Sequence, residues 1–127
     1  MSSIQGRACT LLAASAHPLS SAVSAHHSFA MFDTKKTVEL SGTVKQFQWT
    51  NPHSWIQLLV SAPGGGQQEW GIEMTSPSGL LREGCHPNSL KAGDSVTVSL
   101  HPLLSGAMGG SEIQVTREDG QLIGSPR

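Results

Sequence analysis

Three of the six histidines in this chain, His26, His27 and His53, have the residue type and the placement to bind a metal. Neutral imidazole is the commonest metal ligand in proteins. His26 and His27 are adjacent, and His53 closes Asn51-Pro52-His53, a combination of residues that favours a turn. With only 13% charged residues, the chain has little other reason to place two histidines side by side. The pattern predicts a divalent metal site at these three residues.

Cleavage of the chain directly before His26 would make copper the expected metal. The new α-amine and the imidazole of the same residue can then chelate one ion through two nitrogens, and His27 or His53 completes a T-shaped set of three. Nitrogen-rich tetragonal geometry favours Cu(II), and such a site is called a histidine brace in copper proteins. The alternative is structural, with a polar chain terminus and a His53 that only hydrogen-bonds its own loop.

Residues 1–25 have the composition of a signal peptide. The segment from Ala8 to Ala25 carries no charge and is rich in Ala, Ser and Leu, and Val23 and Ala25 supply acceptable residues at positions −3 and −1. This predicts a periplasmic or secreted protein whose mature chain is residues 26–127. The alternative is a disordered cytosolic tail. No segment has the roughly 20 apolar residues of a membrane-spanning helix, so no membrane insertion is expected after cleavage.

The elements that must position these histidines are short strands. Apolar residues alternate with polar ones in five segments, which is typical of half-buried β-strands; the segments are 37–46, 55–60, 69–75, 95–100 and 112–116. Gly42 inside the first segment predicts a bend or bulge. Residues 121–123 are expected to add a short final pairing after the Asp119-Gly120 turn.

One short helix is expected between the third and fourth strands. Ser76 is a suitable N-cap, Pro77 suits the first helical position and Gly84 suits the end, so the helix should run to about Glu83. Three strands, a helix and two strands is the order of an OB-fold. The fold prediction is therefore all-β, a small five-stranded OB-like barrel over residues 26–127; the alternative is a small open β-sandwich.

Three tryptophans suggest a second function that needs no metal. On an OB barrel, Trp49, Trp55 and Trp70 could form a face that binds a small ligand or a protein, although core packing is the preferred role for them. The ligand-binding residues under this alternative are Trp49, Asn51 and Trp55. The formal charge of −1 lacks the basic excess of a nucleic-acid binder, so no nucleic-acid partner is expected.

The sequence predicts no catalytic residue. It lacks a nucleophile elbow, a P-loop and a Cys-x-x-Cys motif, and Glu73, which alternates with core residues, is expected to point outward without an acid–base partner. A copper-dependent oxidative enzyme is a third hypothesis with no supporting acid or substrate surface. Cys85 is expected to be a buried apolar residue, and Met31 and Met74 to be packing residues rather than Cu(I) ligands. His101 and His86 are weaker ligand candidates.

Several motifs together resemble a bacterial family of small exported proteins, DUF6152, a domain of unknown function. They are His-His-Ser-Phe-Ala-Met-Phe-Asp at 26–33, Val-Glu-Leu-Ser-Gly-Thr-Val at 38–44, Trp-Thr-Asn-Pro-His-Ser-Trp at 49–55, Ser-Pro-Ser-Gly-Leu-Leu-Arg at 76–82 and Leu-Lys-Ala-Gly-Asp-Ser-Val at 90–96. The resemblance covers His26 to about Leu122. It implies a periplasmic protein with an OB-like barrel, and it supplies no established activity.

Overall fold

The computed structural model describes residues 29–124. A short 3-10 helix at Phe29–Met31 precedes the strands. These are β1 (Val38–Gln48), β2 (Trp55–Ser61), β3 (Gln67–Glu73), β4 (Ser95–Pro102), β5 (Gly109–Arg117) and β6 (Leu122–Ile123), with helix α1 (Pro77–Arg82) between β3 and β4. Each predicted strand and the predicted helix is present, with ends that differ by a few residues.

The strands close into a barrel. Their order is β3-β2-β1-β4-β5, all antiparallel, and a parallel pairing of β3 with β5 joins the two edges. This confirms the OB-like barrel and rules out the open sandwich. The short β6 pairs with β5 through Val115↔Ile123 and Thr116↔Leu122, as the sequence predicted. No helix among residues 29–124 has the length and apolar character needed to cross a membrane.

The alternating apolar residues of the strands form the barrel core. Ile56 and Leu58 of β2, Ile72 of β3 and Val98 and Leu100 of β4 are all fully buried. Burial of each such side chain contributes about 1.5–3 kcal/mol. The barrel wall is therefore fixed by period-2 patterning, and the side chains of the intervening residues point to the outer surface.

A bulge and a glycine shape strand β1 where it curls around the barrel. The register with β2 shifts between Val44 and Gln46, so the bulge lies after Gly42 rather than at it. Gly42 is needed for a close approach: a Cβ there would overlap the carbonyl oxygen of Leu59 and lie 3.1 Å from Cγ of Leu58. Glycine is required at position 42 because the backbone of β2 approaches that of β1 too closely there for a side chain.

Helix α1 begins where the sequence predicted. The backbone N–H of Gly79 donates to Oγ of the N-cap Ser76 at 3.2 Å, and Pro77 occupies the first turn. The chain leaves the helix through Gly84, whose φ of 82° is a conformation that glycine adopts without strain. Leu80 of the helix and Cys85 after it are buried in the core, which confirms the packing role predicted for Cys85.

Candidate functional site

His53 is held in place by backbone bonds between its turn and the end of β3. The hydroxyl of Thr50 donates to the carbonyl of His53 at 2.9 Å, across a cis Asn51–Pro52 peptide. The next residue, Ser54, exchanges two backbone hydrogen bonds with the chain after β3: its N–H donates to Thr75 O at 3.1 Å and its carbonyl accepts from Met74 N at 2.8 Å. These bonds place His53 beside the last residues of β3.

The imidazole of His53 contacts the carboxylate of Glu73, through Nδ1 and Oε1. The side chain of Glu73 is only 6% exposed, whereas that of His53 is 37% exposed. An ionised carboxylate can only accept hydrogen bonds, so opposite an ionised Glu73 the donor is the Nδ1–H of His53. This pairing would leave Nε2 as the ligand nitrogen.

Glu73 is the candidate site residue that the sequence prediction missed. Its side chain does leave the strand on the outer face, between the buried Ile72 and Met74, but it is buried there and it has a histidine partner. The predicted outward direction was therefore right, and the expectation that Glu73 has no acid–base partner was wrong. Strand alternation gives the direction of a side chain, and it does not reveal that the 49–54 turn will contact that side chain from another part of the chain.

A row of cross-strand neighbours runs across the outer face at the level of Glu73. Trp55 is opposite Glu73, Glu73 is opposite Ser111, and Ser111 is opposite His101. Directly opposite residues in neighbouring strands have side chains close enough to interact. Glu73 is thus flanked by the indole of Trp55 on one side and by Ser111 on the other.

Two polar atoms near this row are buried and lack a hydrogen-bond partner among residues 29–124. They are Oε2 of Glu73 and Oγ of Ser54. Ser54 points to the opposite side of the chain from its neighbours His53 and Trp55, so its hydroxyl faces the interior. Oε2 of Glu73 belongs to the outer face, where it is the second acceptor of the carboxylate that holds His53.

The predicted metal ligands are only partly within the described chain. His26 and His27 lie outside the described residues, and His53 is the member of the predicted set that the structure places. Nδ1 of His101 bonds the carbonyl of Lys36 at 2.7 Å, in the segment leading into β1, so this ring leans away from β5 and Glu73. His86 is exposed. Within residues 29–124, no group of three or more His, Cys, Asp or Glu side chains is close enough to hold a metal.

The three tryptophans do not share one face. Trp70 is on the core-facing side of β3. Trp49 packs edge-to-face on Phe47, with ring centroids 5.8 Å apart, and lies against the core. Trp55 alternates with the buried Ile56 and is the one of the three on the outer face of β2, while Asn51 is exposed in the turn before this strand. Met74 is buried as predicted, while Met31 is 40% exposed.

Two surface clefts lie away from the His53–Glu73 pair. One of about 420 Å³ is lined by Asp94, Ser95, Arg117, Glu118 and Asp119. The other, of about 360 Å³, shares Ser95 and Glu118 with it and adds residues of β1 and β4. Neither contains an aromatic or histidine side chain, so neither has the donors of the predicted metal site.

Comparison with known proteins identifies a family for this chain. The model described as "Family of unknown function (DUF6152)" matches residues 13–113. No curated protein matches the chain. Among solved structures, the mitochondrial single-stranded DNA binding protein Rim1 from S. cerevisiae is similar at 10% identity, with a TM-score of 0.47, and the alignment covers 71% of this chain and 96% of that one.

Proposed function

Since the chain belongs to the DUF6152 family, whose function is unknown, we propose a function from the site itself: the protein is exported and binds a divalent metal, copper, through His26, His27 and His53. The observation that carries the proposal is the contact between Nδ1 of His53 and the buried carboxylate of Glu73. Histidines that ligate metals almost always donate their second ring N–H to such a carboxylate, carbonyl or water, which fixes the tautomer and raises the basicity of the ligating nitrogen.

A series of backbone pairings links the start of the described chain to β3: Phe32 bridges Leu103, Leu103 N–H donates to Gly109 O at 3.1 Å, and Gly109 pairs with Gly71. Gly71 lies two residues before Glu73 on the same face of β3. With strands about 4.8 Å apart and a rise of about 3.3 Å per residue, the Cα atoms of Phe32 and Glu73 are about 16 Å apart.

The six residues from Phe32 back to His26 have about that reach. Phe29–Met31 form a 3-10 helix that rises about 2 Å per residue, and three further residues span at most about 10 Å, so together they extend about 16 Å. This length is compatible with a site assembled from the N-terminal pair and the β1–β2 turn.

Nitrogen donors decide the choice of metal. Two or three imidazoles and an α-amine form a nitrogen-rich set, which suits Cu(II) in tetragonal geometry better than the oxygen-preferring Mg²⁺ or Ca²⁺. The α-amine exists as a donor only if residues 1–25 are removed as a signal peptide, so the proposal includes export to the periplasm or beyond. The mass of the exported protein tests this step directly, because it shows whether His26 is the first residue.

The metal proposal is tested on protein that begins at His26. Copper content after gel filtration, Cu(II) affinity by calorimetry and the electron paramagnetic resonance spectrum are compared for wild type, His53→Ala and the matched control His86→Ala, whose histidine is exposed. We expect wild type and His86→Ala to retain copper, and His53→Ala to lose at least tenfold in affinity and to change its spectrum. If wild type retains no copper, or if His53→Ala keeps both affinity and spectrum, the proposal is wrong.

A second candidate function is binding of a small ligand or a protein without metal. The placement of Trp55 favours it, because this indole lies on the outer face of the barrel directly opposite Glu73. Under this alternative, a candidate ligand quenches tryptophan fluorescence in chelator-treated protein, and Trp55→Phe abolishes the quenching. Quenching that needs added copper, or that survives Trp55→Phe, contradicts this alternative.

A further inference from the structure

Strand β3 has an open position in the middle of its outer face, at Gly71. Glu69, Gly71 and Glu73 alternate with core residues such as the buried Ile72, so all three lie on the outer face. Among residues 29–124, a Cβ built on Gly71 would meet one heavy atom beyond its chain neighbours within 4 Å, Oε1 of Gln57 at 3.6 Å. No other described side chain therefore covers the backbone of β3 at this point.

A polar pair lies at each end of this open position. Before it, the carboxylate of Glu69 pairs with Nζ of Lys45 at 2.7 Å, and after it the carboxylate of Glu73 contacts Nδ1 of His53. At a rise of about 3.3 Å per residue, the Cα atoms of the two glutamates are about 13 Å apart. The backbone between them forms the floor of a trough that runs along β3.

The two long sides of the trough differ in chemistry. On β2, Gln57 is directly opposite Gly71, and Trp55 is the next outward residue of the same strand. On the other side, Gly109 of β5 pairs with Gly71, and Cδ1 of Leu103 lies 2.9 Å from the position that a Cβ of Gly109 would take. An amide and an indole thus face an aliphatic side chain across the floor. We call the surface formed by Trp55, Gln57, Glu69, Gly71 and Leu103 the Gly71 trough.

The charges and hydrogen-bonding groups of the trough indicate the class of ligand. Lys45 is the cation that an ion pair places on this face of the described chain, and Glu69 already neutralises it, so a phosphate or carboxylate ligand meets no unpaired cation. The side chain of Glu73 is only 6% exposed and presents little charge to an amine. The carboxylate of Glu69 accepts hydrogen bonds, and the amide of Gln57 both donates and accepts them. Uncharged hydroxyl groups, which also donate and accept, match this set.

We infer that the Gly71 trough binds a neutral saccharide, with a sugar ring over Gly71, hydroxyl groups on Glu69 and Gln57, and a C–H face of the ring against the indole of Trp55. An apolar aromatic surface beside a few placed polar groups is the usual composition of a small-molecule site. This gives a ligand class to the metal-free alternative above and rests on the placement of Trp55 that favours it, without any role for copper. Because the trough is longer than one sugar ring, an oligosaccharide binds more tightly than its monomer.

The test is binding of chelator-treated protein to an array of neutral and anionic oligosaccharides, followed by calorimetry with the neutral glycan that binds best. Wild type is compared with Gly71→Leu, whose side chain fills the trough, and with the matched control Gly64→Leu, whose Cβ would meet nothing within 4 Å. We expect the control to bind like wild type and Gly71→Leu to bind about tenfold more weakly or worse, because its side chain clashes with the ligand. Failure of all neutral glycans to bind, or an unchanged affinity in a folded Gly71→Leu, overturns the inference.

A second variant, Gln57→Ala, keeps the inference testable if circular dichroism shows that Gly71→Leu does not fold. It removes the amide opposite Gly71 and adds no volume. We expect it to weaken binding of the same glycan about threefold or more, the effect of one lost hydrogen bond, and an unchanged affinity overturns the inference. Copper retention is measured separately, so failure of the metal proposal leaves a positive result intact. If no neutral glycan binds while another ligand quenches Trp55, the metal-free alternative stands and this inference is wrong.

Discussion

Replacement of His53 by alanine should destabilise the metal-free barrel through the carboxylate that it leaves behind. His53 is the one described residue whose side chain is hydrogen-bonded to the carboxylate of Glu73, and that side chain is 6% exposed. Loss of the partner of a buried acceptor costs about 1–3 kcal/mol, more for a charged group. Because His53 is itself 37% exposed, water can partly replace it, and the lower half of that range, about 1–2 kcal/mol, is expected.

The charge on Glu73 makes this prediction specific. Glu73→Gln removes the charge and keeps an amide oxygen that can accept from Nδ1, so it should cost less than about 1 kcal/mol. In the double variant no unpaired charge remains, so His53→Ala should cost little once residue 73 is Gln. The expected coupling energy is about 0.5–2 kcal/mol, within the range for contacting residues.

Urea unfolding followed by circular dichroism measures all four proteins in the presence of a chelator. A cost of 1 kcal/mol corresponds to a Tm shift of about 4–8 °C for a domain of this size, so melting curves provide an independent check. His86→Ala serves as the exposed control and should stay within about 0.5 kcal/mol of wild type. Additive effects of His53→Ala and Glu73→Gln would refute the assignment of Glu73 as an ionised partner of His53.

Three further predictions concern other parts of the barrel. Gly42→Ala should lower the free energy of unfolding, measured in urea, by about 1–3 kcal/mol. Gly64→Ala, whose Cβ would meet nothing within 4 Å, should leave it unchanged. Burial raises the pKa of the Cys85 thiol above its ordinary value of 9.0, so stability should fall as the pH rises above that ordinary pKa. Cys85→Ala should remove this fall in melts from pH 7 to 10.5. Copper added to processed protein should quench the emission of Trp55, and Trp55→Phe should lose most of that quenching.

Much of the barrel can be predicted from the sequence, because its determinants are local. The alternation in segments such as 55–60 and 95–100 gives the faces of the strands, and Ser76-Pro77 with Gly84 gives the ends of the helix. The order of these elements is sufficient to identify the OB-like topology. The bulge after Val44 was displaced from its predicted position at Gly42, since bulges depend on the curvature that the whole barrel imposes on β1.

The site is harder to predict because its contacts join residues distant in sequence. His53 was identified from residue type and turn context, and the structure gives it a partner 20 residues away. One signal was available: Trp55, two residues after His53, and Glu73 are both on outward positions of strands that a hairpin must pair. Counting the β2–β3 register back from the glycine-rich loop would have placed Trp55 opposite Glu73.

The closed barrel explains why these residues meet. The β1–β2 turn and the end of β3 lie at the same end of a β2–β3 hairpin, so Ser54 bonds Met74 and Thr75, and His53 necessarily lies next to Glu73. The parallel β3–β5 pairing then covers the other side of Glu73 with Ser111. An outward carboxylate is thereby buried by the topology of the barrel. His53 satisfies one of its oxygens, while the second, Oε2, has no hydrogen-bond partner among residues 29–124.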